Sequence, residues 1–458
     1  MKRKTIILSA VLYLFFFTGC DKLLDLEPYQ SISESVALDS DVNVKSVLQG
    51  AYTQFDDAGI YGGCLLRNSE LLANNSECFW AGTYTGPRQI FNHAMNAAND
   101  DATSHWTESY EVINICNNVL SALSVVNEED RNWVEGEALF LRSLMYFDLV
   151  RFFAQQYEPA TAATDYGVPL VLTPTRGISS ESFVGRNTVA EVYSRIITDL
   201  TSAAAKLPVE NGVYASSGAA SALLARVYLQ KYDYTNARDA ANTVINLKSG
   251  GSPVYELKGS YADVFNNDEN TSEDIFATQI TSQDLGSSMT EFFSTPDYGG
   301  RGGDIDIEDA HLILYSSGDE RLDLFFSGYG AMRSGKWNNV YGVVNLIRLA
   351  EMYLIRAECN YRLGTSVGAT PLADYNTIHT RAGLTAAPSL ASLEDILLER
   401  RLELSFEGFM IHDARRLHKS IVTSSGTLSS NDPRLVFPIP LRETESNPTL
   451  KGQQNTGY

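Results

Sequence analysis

The sequence has little of the residue types that build metal, redox and nucleophilic active sites. Of its 458 residues, five are cysteine and six are histidine. No His-Glu-x-x-His motif and no Gly-x-Ser-x-Gly segment occurs, and the cysteine spacings match neither a zinc site nor a dense disulfide framework. We therefore expect no catalytic residues, no metal centre and no cofactor.

Basic residues are also scarce, with 35 Lys and Arg against 56 Asp and Glu and a formal net charge of −21. Nucleic acids and anionic lipid surfaces attract basic proteins, so this balance predicts that nucleic acid is not a partner. The 56 carboxylates carry no information about glycosidase chemistry, because a suitably spaced pair can always be imagined among so many.

Long apolar runs are missing except at residues 5–17, which follow Lys2, Arg3 and Lys4. This run is too short to cross a bilayer core of about 30 Å, and it predicts a secretory signal peptide over residues 1–19. The small residues before Cys20 resemble the lipobox of bacterial lipoproteins. We therefore predict cleavage before Cys20, lipidation of its thiol, and an acidic tether over residues 20–40.

The remaining cysteines are Cys64, Cys78, Cys116 and Cys359. A Cys64–Cys78 bridge is compatible with an oxidising compartment. The favoured interpretation is that these residues are small buried apolar side chains.

Apolar residues recur at helical spacing along most of the chain, which predicts a mainly α fold. The predicted helices span residues 42–55, 102–123, 130–153, 187–207, 219–230, 234–248, 345–363, 371–381 and 392–417. Small residues facing aromatic ones across tight turns resemble tetratricopeptide hairpins. Residues 61–101 lack a period and are predicted to form a long loop region. Residues 250–339 are rich in Gly, Ser and Asp and are predicted to form a loop-rich insert with short strands, such as 274–280.

Ordered blocks of sequence carry a resemblance that runs almost end to end. They include LDLEP at 24–28, VLQGAY at 47–52, the helix at 135–151, IRLAEMYLIRAE at 347–358 and ERRLELSFEG at 399–408. This order resembles the SusD/RagB family of outer-membrane nutrient-binding lipoproteins. The resemblance implies a helical region over 41–249 and a RagB/SusD C-terminal region over 250–458, in which tetratricopeptide-like helix pairs cradle the insert.

The family resemblance also implies a role. It implies a lipid-anchored protein on the outer face of the outer membrane, an oligosaccharide cargo, and a SusC-like TonB-dependent barrel as partner, which the lipoprotein caps as a lid. Capture and delivery would involve no chemistry, so we predict that the protein is not an enzyme. Three alternatives stay open: a peptide cargo, a surface glycan hydrolase, and a structural lid with no ligand of its own.

A saccharide site needs exposed aromatic rings beside planar hydrogen-bonding groups. Two loop regions offer this mixture. The residues predicted to bind ligand are Asn74, Asn75, Glu77, Trp80, Tyr84 and Arg88 in the first region, and Tyr298 and Arg301, which lie among glycines, in the second. Phe292 and Phe293 are predicted to pack beneath the second loop, and Trp337 to be structural.

Two charged patterns are given structural interpretations. Glutamate and arginine residues between 348 and 358 and between 399 and 407 lie three or four positions apart, which predicts structural ion pairs between helices. The acidic run from Asp304 to Asp309 lacks the alternating oxygen ligands of a calcium loop and is predicted to be a solvated acidic edge.

Overall fold

The computed structural model describes residues 37–282, 286–423 and 426–458. The predicted signal peptide, Cys20 and most of the tether lie outside these ranges. Within them, no helix combines the length and apolar character that crossing a membrane requires.

Helices dominate the described ranges, which confirms the predicted mainly α fold. They are α1 Asp41–Phe55, α2 Cys64–Leu72, α3 Thr85–Phe91, α4 Asp100–Ser121, α5 Arg131–Phe153, α6 Val189–Lys206, α7 Ser217–Gln230, α8 Tyr234–Ile245, α9 Ser288–Phe293, α10 Asp309–Leu312, α11 Leu349–Leu363, α12 Pro371–Arg381, α13 Leu393–Glu403, α14 Met410–Arg416 and α15 Leu441–Ser446. The long helices pack in succession, with α4 on α5, α5 on α6, α6 on α7 and α11 on α12. Helix α5 is buried at nearly every position because it lies at the centre of this scaffold.

Local sequence explains where several of these helices begin. Thr188 and Glu191 form a capping box at the start of α6, and Ser392 and Asp395 form another at the start of α13. Each satisfies backbone N–H groups that the first helical turn leaves without partners.

Short strands organise the insert and connect it to the rest of the chain. They are β1 Cys78–Trp80, β2 Lys248–Ser249, β3 Ser252–Pro253, β4 Asp274–Thr278, β5 Ile305–Ile307, β6 Phe325–Gly328, β7 Ala331–Ser334, β8 Val344–Arg348, β9 Ile421–Thr423 and β10 Gly426–Leu428. One four-stranded sheet has the order β1-β5-β7-β6. In it β1 runs antiparallel to β5, with Phe79 opposite Asp306. This pairing joins the early region of the chain to the insert.

Three sequence predictions are corrected by the structure. The predicted loop region 61–101 contains α2, β1 and α3, elements too short to show a period. The predicted helix 345–363 begins as strand β8, which pairs with β4; a short buried apolar run does not distinguish strand from helix. The predicted helix 392–417 is two helices, α13 and α14, separated by a turn in which Gly408 has a φ of +84°.

The cysteine and ion-pair predictions are settled by side-chain contacts. All four cysteines of the described ranges are free, so Cys64 and Cys78 form no bridge.

The predicted ion pairs are confirmed. Arg226 and Arg400 both contact Glu351 of α11, and Arg416 contacts Glu358 at 2.7 Å. All of these side chains are buried, so they tie helices together away from solvent.

The core also contains an uncharged histidine. His105 of α4 is fully buried, with its ring centroid 5.0 Å from that of Phe152 and 5.1 Å from that of Phe153. Burial, and to a smaller extent the charge of the nearby Arg151, lowers the pKa of His105 from 6.5 to about 3. The unfolded chain therefore binds a proton at His105 between these two pH values and the folded protein does not.

Replacing His105 with leucine is expected to reduce acid sensitivity. As the pH falls from 7 to 5, the wild type should lose about 2 kcal/mol more of its free energy of unfolding than His105→Leu, since one proton contributes about 1.4 kcal/mol per pH unit. Denaturant unfolding at pH 7, 6 and 5 measures the difference. Parallel curves for His105→Leu and the wild type would contradict the burial argument.

Candidate functional site

The two loop regions singled out from the sequence meet at one end of the β1-β5-β7-β6 sheet. Beyond the paired strands, the backbone N–H groups of Ala81 and Gly82 donate to the Asp304 carbonyl at 2.8 and 3.2 Å. The pairing holds segment 81–88 beside segment 296–304. We call these two segments together the loop surface.

Side chains from the two segments contact each other directly. The Arg301 guanidinium lies over the Tyr84 ring, 3.9 Å from its centroid. Arg301 Nη2 donates to Thr83 Oγ1 at 2.9 Å, and its Nε lies 3.1 Å from Asp304 Oδ2. A guanidinium held by two partners covers one face of the Tyr84 ring and fixes that ring in place.

The aromatic rings of the loop surface are partly open to solvent. Tyr84 is 46% exposed and Tyr298 is 44% exposed. Tyr84 packs edge-on against Phe292, and Tyr298 packs edge-on against Phe326 at 5.6 Å. Each tyrosine is therefore oriented by a ring beneath or beside it while its own ring stays accessible.

Phe292 supports this surface from below. It is buried, it packs on Trp80, and the Arg67 guanidinium lies 4.3 Å from its ring centroid. Phe293 is also buried. The prediction that these two residues pack beneath the loop is confirmed, and so is the structural position of Trp337, which is buried.

The predicted site residues fall into two groups in the structure. Tyr84, Arg88, Tyr298 and Arg301 lie on the loop surface. Arg88 is exposed, and its Nη2 donates to the Gly82 carbonyl at 2.7 Å. Tyr298 and Arg301 flank Gly299, whose φ of +86° ends the turn Pro296–Tyr298. Glycine adopts this left-handed conformation without a steric cost.

The other four predicted residues lie in or beside the interior. Asn74 donates to the carbonyls of Leu71 and Phe91, and Asn75 accepts a hydrogen bond from the Val422 backbone. Trp80 is buried on the inner face of β1. The two asparagine side chains therefore hold backbone segments together, and fewer of the predicted residues are accessible to a ligand than the sequence suggests.

Glu77 is the fourth of these residues and is tied to charged neighbours. It accepts from His311 Nδ1 at 2.8 Å and forms an ion pair with Arg401. Burial alone would raise the pKa of Glu77, but the hydrogen bond to His311 and the Arg401 charge lower it to about 2. Glu77 is therefore an ionised, paired carboxylate that directly precedes β1.

Phe79 belongs to the accessible surface and is absent from the predicted set. The alternation of β1 places Cys78 and Trp80 inside and leaves Phe79 47% exposed. The exposure of Phe79 can be predicted from the triplet Cys-Phe-Trp only if the triplet is taken as a strand, in which side chains alternate between the two faces. The prediction of a long loop over residues 61–101 did not allow that inference.

The acidic run 304–309 is not wholly solvated, contrary to the prediction. Asp304 is buried beside Arg301, and Asp306 pairs with Arg333 at 2.5 Å. Burial raises the pKa of Asp304, against the opposing charges of Arg301, Arg67 and Arg333. Within the run, Ile305–Ile307 form strand β5, which buries both isoleucines and leaves Asp306 partly exposed. Across the described ranges, no group of acidic, cysteine or histidine side chains could hold a metal ion.

Comparison with known proteins identifies the family. A family model described as starch-binding and associating with the outer membrane matches residues 22–229, and the SusD family model matches residues 325–458. The chain belongs to the SusD/RagB family. This SusD-like chain is 22% identical to SusD-like protein P38 of Formosa agariphila, over 96% of each protein. Its match to SusD-like protein P2 of the same organism covers only 46% of that relative.

Solved structures share the fold of this SusD-like chain. A SusD superfamily protein from Bacteroides thetaiotaomicron has a TM-score of 0.80 at 25% identity, covering 91% of this chain and 99% of that one. The surface glycan-binding protein A of Bacteroides uniformis has a TM-score of 0.75 at 22% identity, with 91% and 99% covered. The second likeness is evidence for the fold alone.

Proposed function

We propose that this protein is a cell-surface lipoprotein that binds an oligosaccharide or polysaccharide and delivers it to a SusC-like TonB-dependent outer-membrane transporter. The observation that carries the proposal is the pair of fixed, half-open tyrosines beside arginine on the loop surface. The starch-binding description of the matching family model supports a glycan as cargo.

The chemistry of the loop surface suits a sugar ring. A pyranose presents C–H groups on its face and hydroxyls at its edge. The accessible faces of Tyr84 and Tyr298 can stack on the C–H groups of the sugar face. The guanidinium groups of Arg88 and Arg301 can donate hydrogen bonds to the hydroxyls at its edge. Most glycosidases use two positioned carboxyl groups to cleave the glycosidic bond, and these four side chains supply none. Binding without catalysis is therefore the proposed activity.

The transport role rests on family membership. In this proposal Cys20 carries the lipid anchor, and the protein closes over a barrel after loading its cargo. Co-purification of the tagged protein with such a barrel from outer membranes tests the partnership. Incorporation of labelled palmitate, lost in Cys20→Ala, tests the anchor; absence of either signal would remove that part of the proposal.

Removing both tyrosines is expected to weaken glycan binding by about 30-fold or more, which corresponds to a loss of at least about 2 kcal/mol. Calorimetry of the wild type and of Tyr84→Ala/Tyr298→Ala against a polysaccharide panel measures the change. Tyr361→Ala is the matched control, because Tyr361 is 38% exposed but lies on α11, away from the loop surface.

Other outcomes of the same titrations discriminate between functions. Equal affinity of the double variant and the wild type would exclude the loop surface as the site. Binding of peptides instead of glycans would establish a peptide cargo. Release of reducing sugar by the purified protein would refute the non-catalytic role, and the absence of all binding would favour a purely structural lid.

A further inference from the structure

A second cleft lies in the helical scaffold, on elements that contribute nothing to the loop surface. It lies between α1, α5 and the segment that precedes α7, and its volume is about 330 Å³. We call it the helical groove. Its walls combine three aromatic rings with three polar side chains: Tyr52, Trp133, Tyr214, Gln49, Glu137 and Asn211.

The aromatic walls are fixed but accessible. Tyr52 and Tyr214 pack edge to face, with centroids 4.9 Å apart. The ring of Trp133 is held by a hydrogen bond from Nε1 to Asp130 Oδ1 at 2.9 Å. All three rings are only partly buried. By contrast, Trp80, Trp106 and Trp337, the protein's other tryptophans, are buried.

The polar walls contain two hydrogen-bonded pairs. Asn211 Nδ2 donates to Glu137 Oε1 at 2.7 Å, and Gln49 Nε2 donates to the Tyr214 hydroxyl at 2.9 Å. Glu137 is only 3% exposed, although it lines the groove. Burial raises the pKa of Glu137 to about 7, against hydrogen bonds from Asn211 and Tyr52. Near neutral pH its carboxyl group can therefore accept a hydrogen bond or donate one.

The charges around the groove disfavour an anionic ligand. Lys45, the basic residue on its wall, already contacts Asp41 at 2.7 Å and Asp130 at 2.5 Å. An anion would meet these carboxylates and Glu137 without a free counter-charge. A sugar ring has an apolar face that can stack on the aromatic side chains of the groove. Its hydroxyl groups can form hydrogen bonds with the amide groups of Gln49 and Asn211 and with the Glu137 carboxyl group.

The groove continues beyond the tyrosine pair. An adjoining cleft of about 290 Å³ shares Gln49, Tyr52 and Tyr214 with it and adds Thr53 and Gln279. A ligand longer than one sugar ring could therefore extend from the helical groove into this cleft and contact its polar side chains.

We propose that the helical groove is a second saccharide-binding site that takes one pyranose ring of a neutral glycan against Trp133. This inference rests on the proposed function, because it assumes a glycan cargo. The groove volume of 330 Å³ falls within the roughly 300–1,000 Å³ typical of small-ligand sites. Two sites on one protein raise the effective affinity for a long glycan, since the second contact becomes intramolecular.

Calorimetry of the full chain with neutral monosaccharides and oligosaccharides tests the second site. The Tyr84→Ala/Tyr298→Ala protein is expected to retain a weak binding event. Adding Trp133→Ala should weaken that event at least tenfold, whereas adding Trp133→Phe, the matched control that keeps a ring, should change it less than about threefold. Circular dichroism melts check that each variant is folded. Monosaccharides and oligosaccharides compared in parallel show whether one ring is sufficient.

Tryptophan fluorescence supplies an independent readout, because Trp133 is the accessible tryptophan. A saturable change on titration with saccharide should persist in the Tyr84→Ala/Tyr298→Ala protein. One set of results would refute the second site while leaving the proposed function intact. In that set, glycans bind the wild type, Trp133→Ala binds them equally well, and the Tyr84→Ala/Tyr298→Ala protein shows neither residual heat nor a fluorescence change. If no saccharide gives heat or fluorescence change with the wild type, both fail.

Discussion

Replacing Arg348 with methionine is expected to lower the free energy of unfolding by about 3–5 kcal/mol, the cost of removing one partner from a buried ion pair. Arg348 is 2% exposed and lies at the end of β8. Its guanidinium lies 2.7 Å from Glu273, 2.7 Å from Glu407 and 3.0 Å from Glu403. Methionine fills much of the same volume but leaves these carboxylates buried with less positive charge.

The network explains why this residue matters more than a surface arginine. Burial alone would raise the pKa of Glu403, but Arg381, Arg348 and Arg321 lower it to about 2. Glu273 precedes β4 in the insert, whereas Glu403 is the last residue of α13 and Glu407 lies in the turn after that helix. Arg348 therefore bonds the insert to the helical scaffold, and its loss should loosen the attachment of the segment that carries the loop surface.

Denaturant unfolding monitored by circular dichroism measures the effect. The matched control is Lys419→Met, which removes an ion pair to Glu394 at 2.7 Å between side chains that are 48% and 66% exposed. That variant should lose less than about 1 kcal/mol, as exposed pairs do. Equal losses in the two variants would refute a central role for the buried network.

The scaffold was predictable from the sequence because its helices are long and periodic. The periodicity of residues 130–153 and 187–207 predicts two helices, and α5 and α6 match them within a few residues. The charge pattern indicates that the glutamates and arginines pair, but it does not give every partner, since Arg226 and Arg416 lie outside the two predicted groups. Strand β8 was not predictable, because the pairing with β4 that selects it is a long-range contact.

The candidate site was predictable in composition but not in geometry. Arg301 and Thr83 lie 218 positions apart, and their hydrogen bond depends on the pairing of β1 with β5. Neither strand has a periodic signal of its own, since each is three residues long. Without that pairing, no sequence pattern distinguishes the accessible ring of Tyr84 from the buried ring of Trp80. Burial, and not residue type, separates the two groups of predicted residues.

Replacing Gly300 with alanine is expected to weaken glycan binding by about 30-fold or more, the loss of a dominant contact worth at least about 2 kcal/mol. A Cβ atom at Gly300 would lie 2.2 Å from the Ser294 carbonyl oxygen and 2.9 Å from that of Thr290. Both oxygens belong to the backbone at the end of α9, which cannot rotate away as a side chain could. Segment 296–304 must therefore move, and Tyr298 and Arg301 move with it.

The neighbouring Gly302 provides the matched control for this steric argument. A Cβ atom there meets nothing within 4 Å, and its backbone is not among the left-handed glycines. Gly302→Ala should therefore bind glycan within about twofold of the wild type, since surface substitutions that touch nothing have small effects. Calorimetry of both variants, with circular dichroism melts to confirm folding, makes the comparison. Wild-type affinity in Gly300→Ala would show that the position of Tyr298 and Arg301 does not determine binding, because the substitution displaces those residues and leaves their chemistry unchanged.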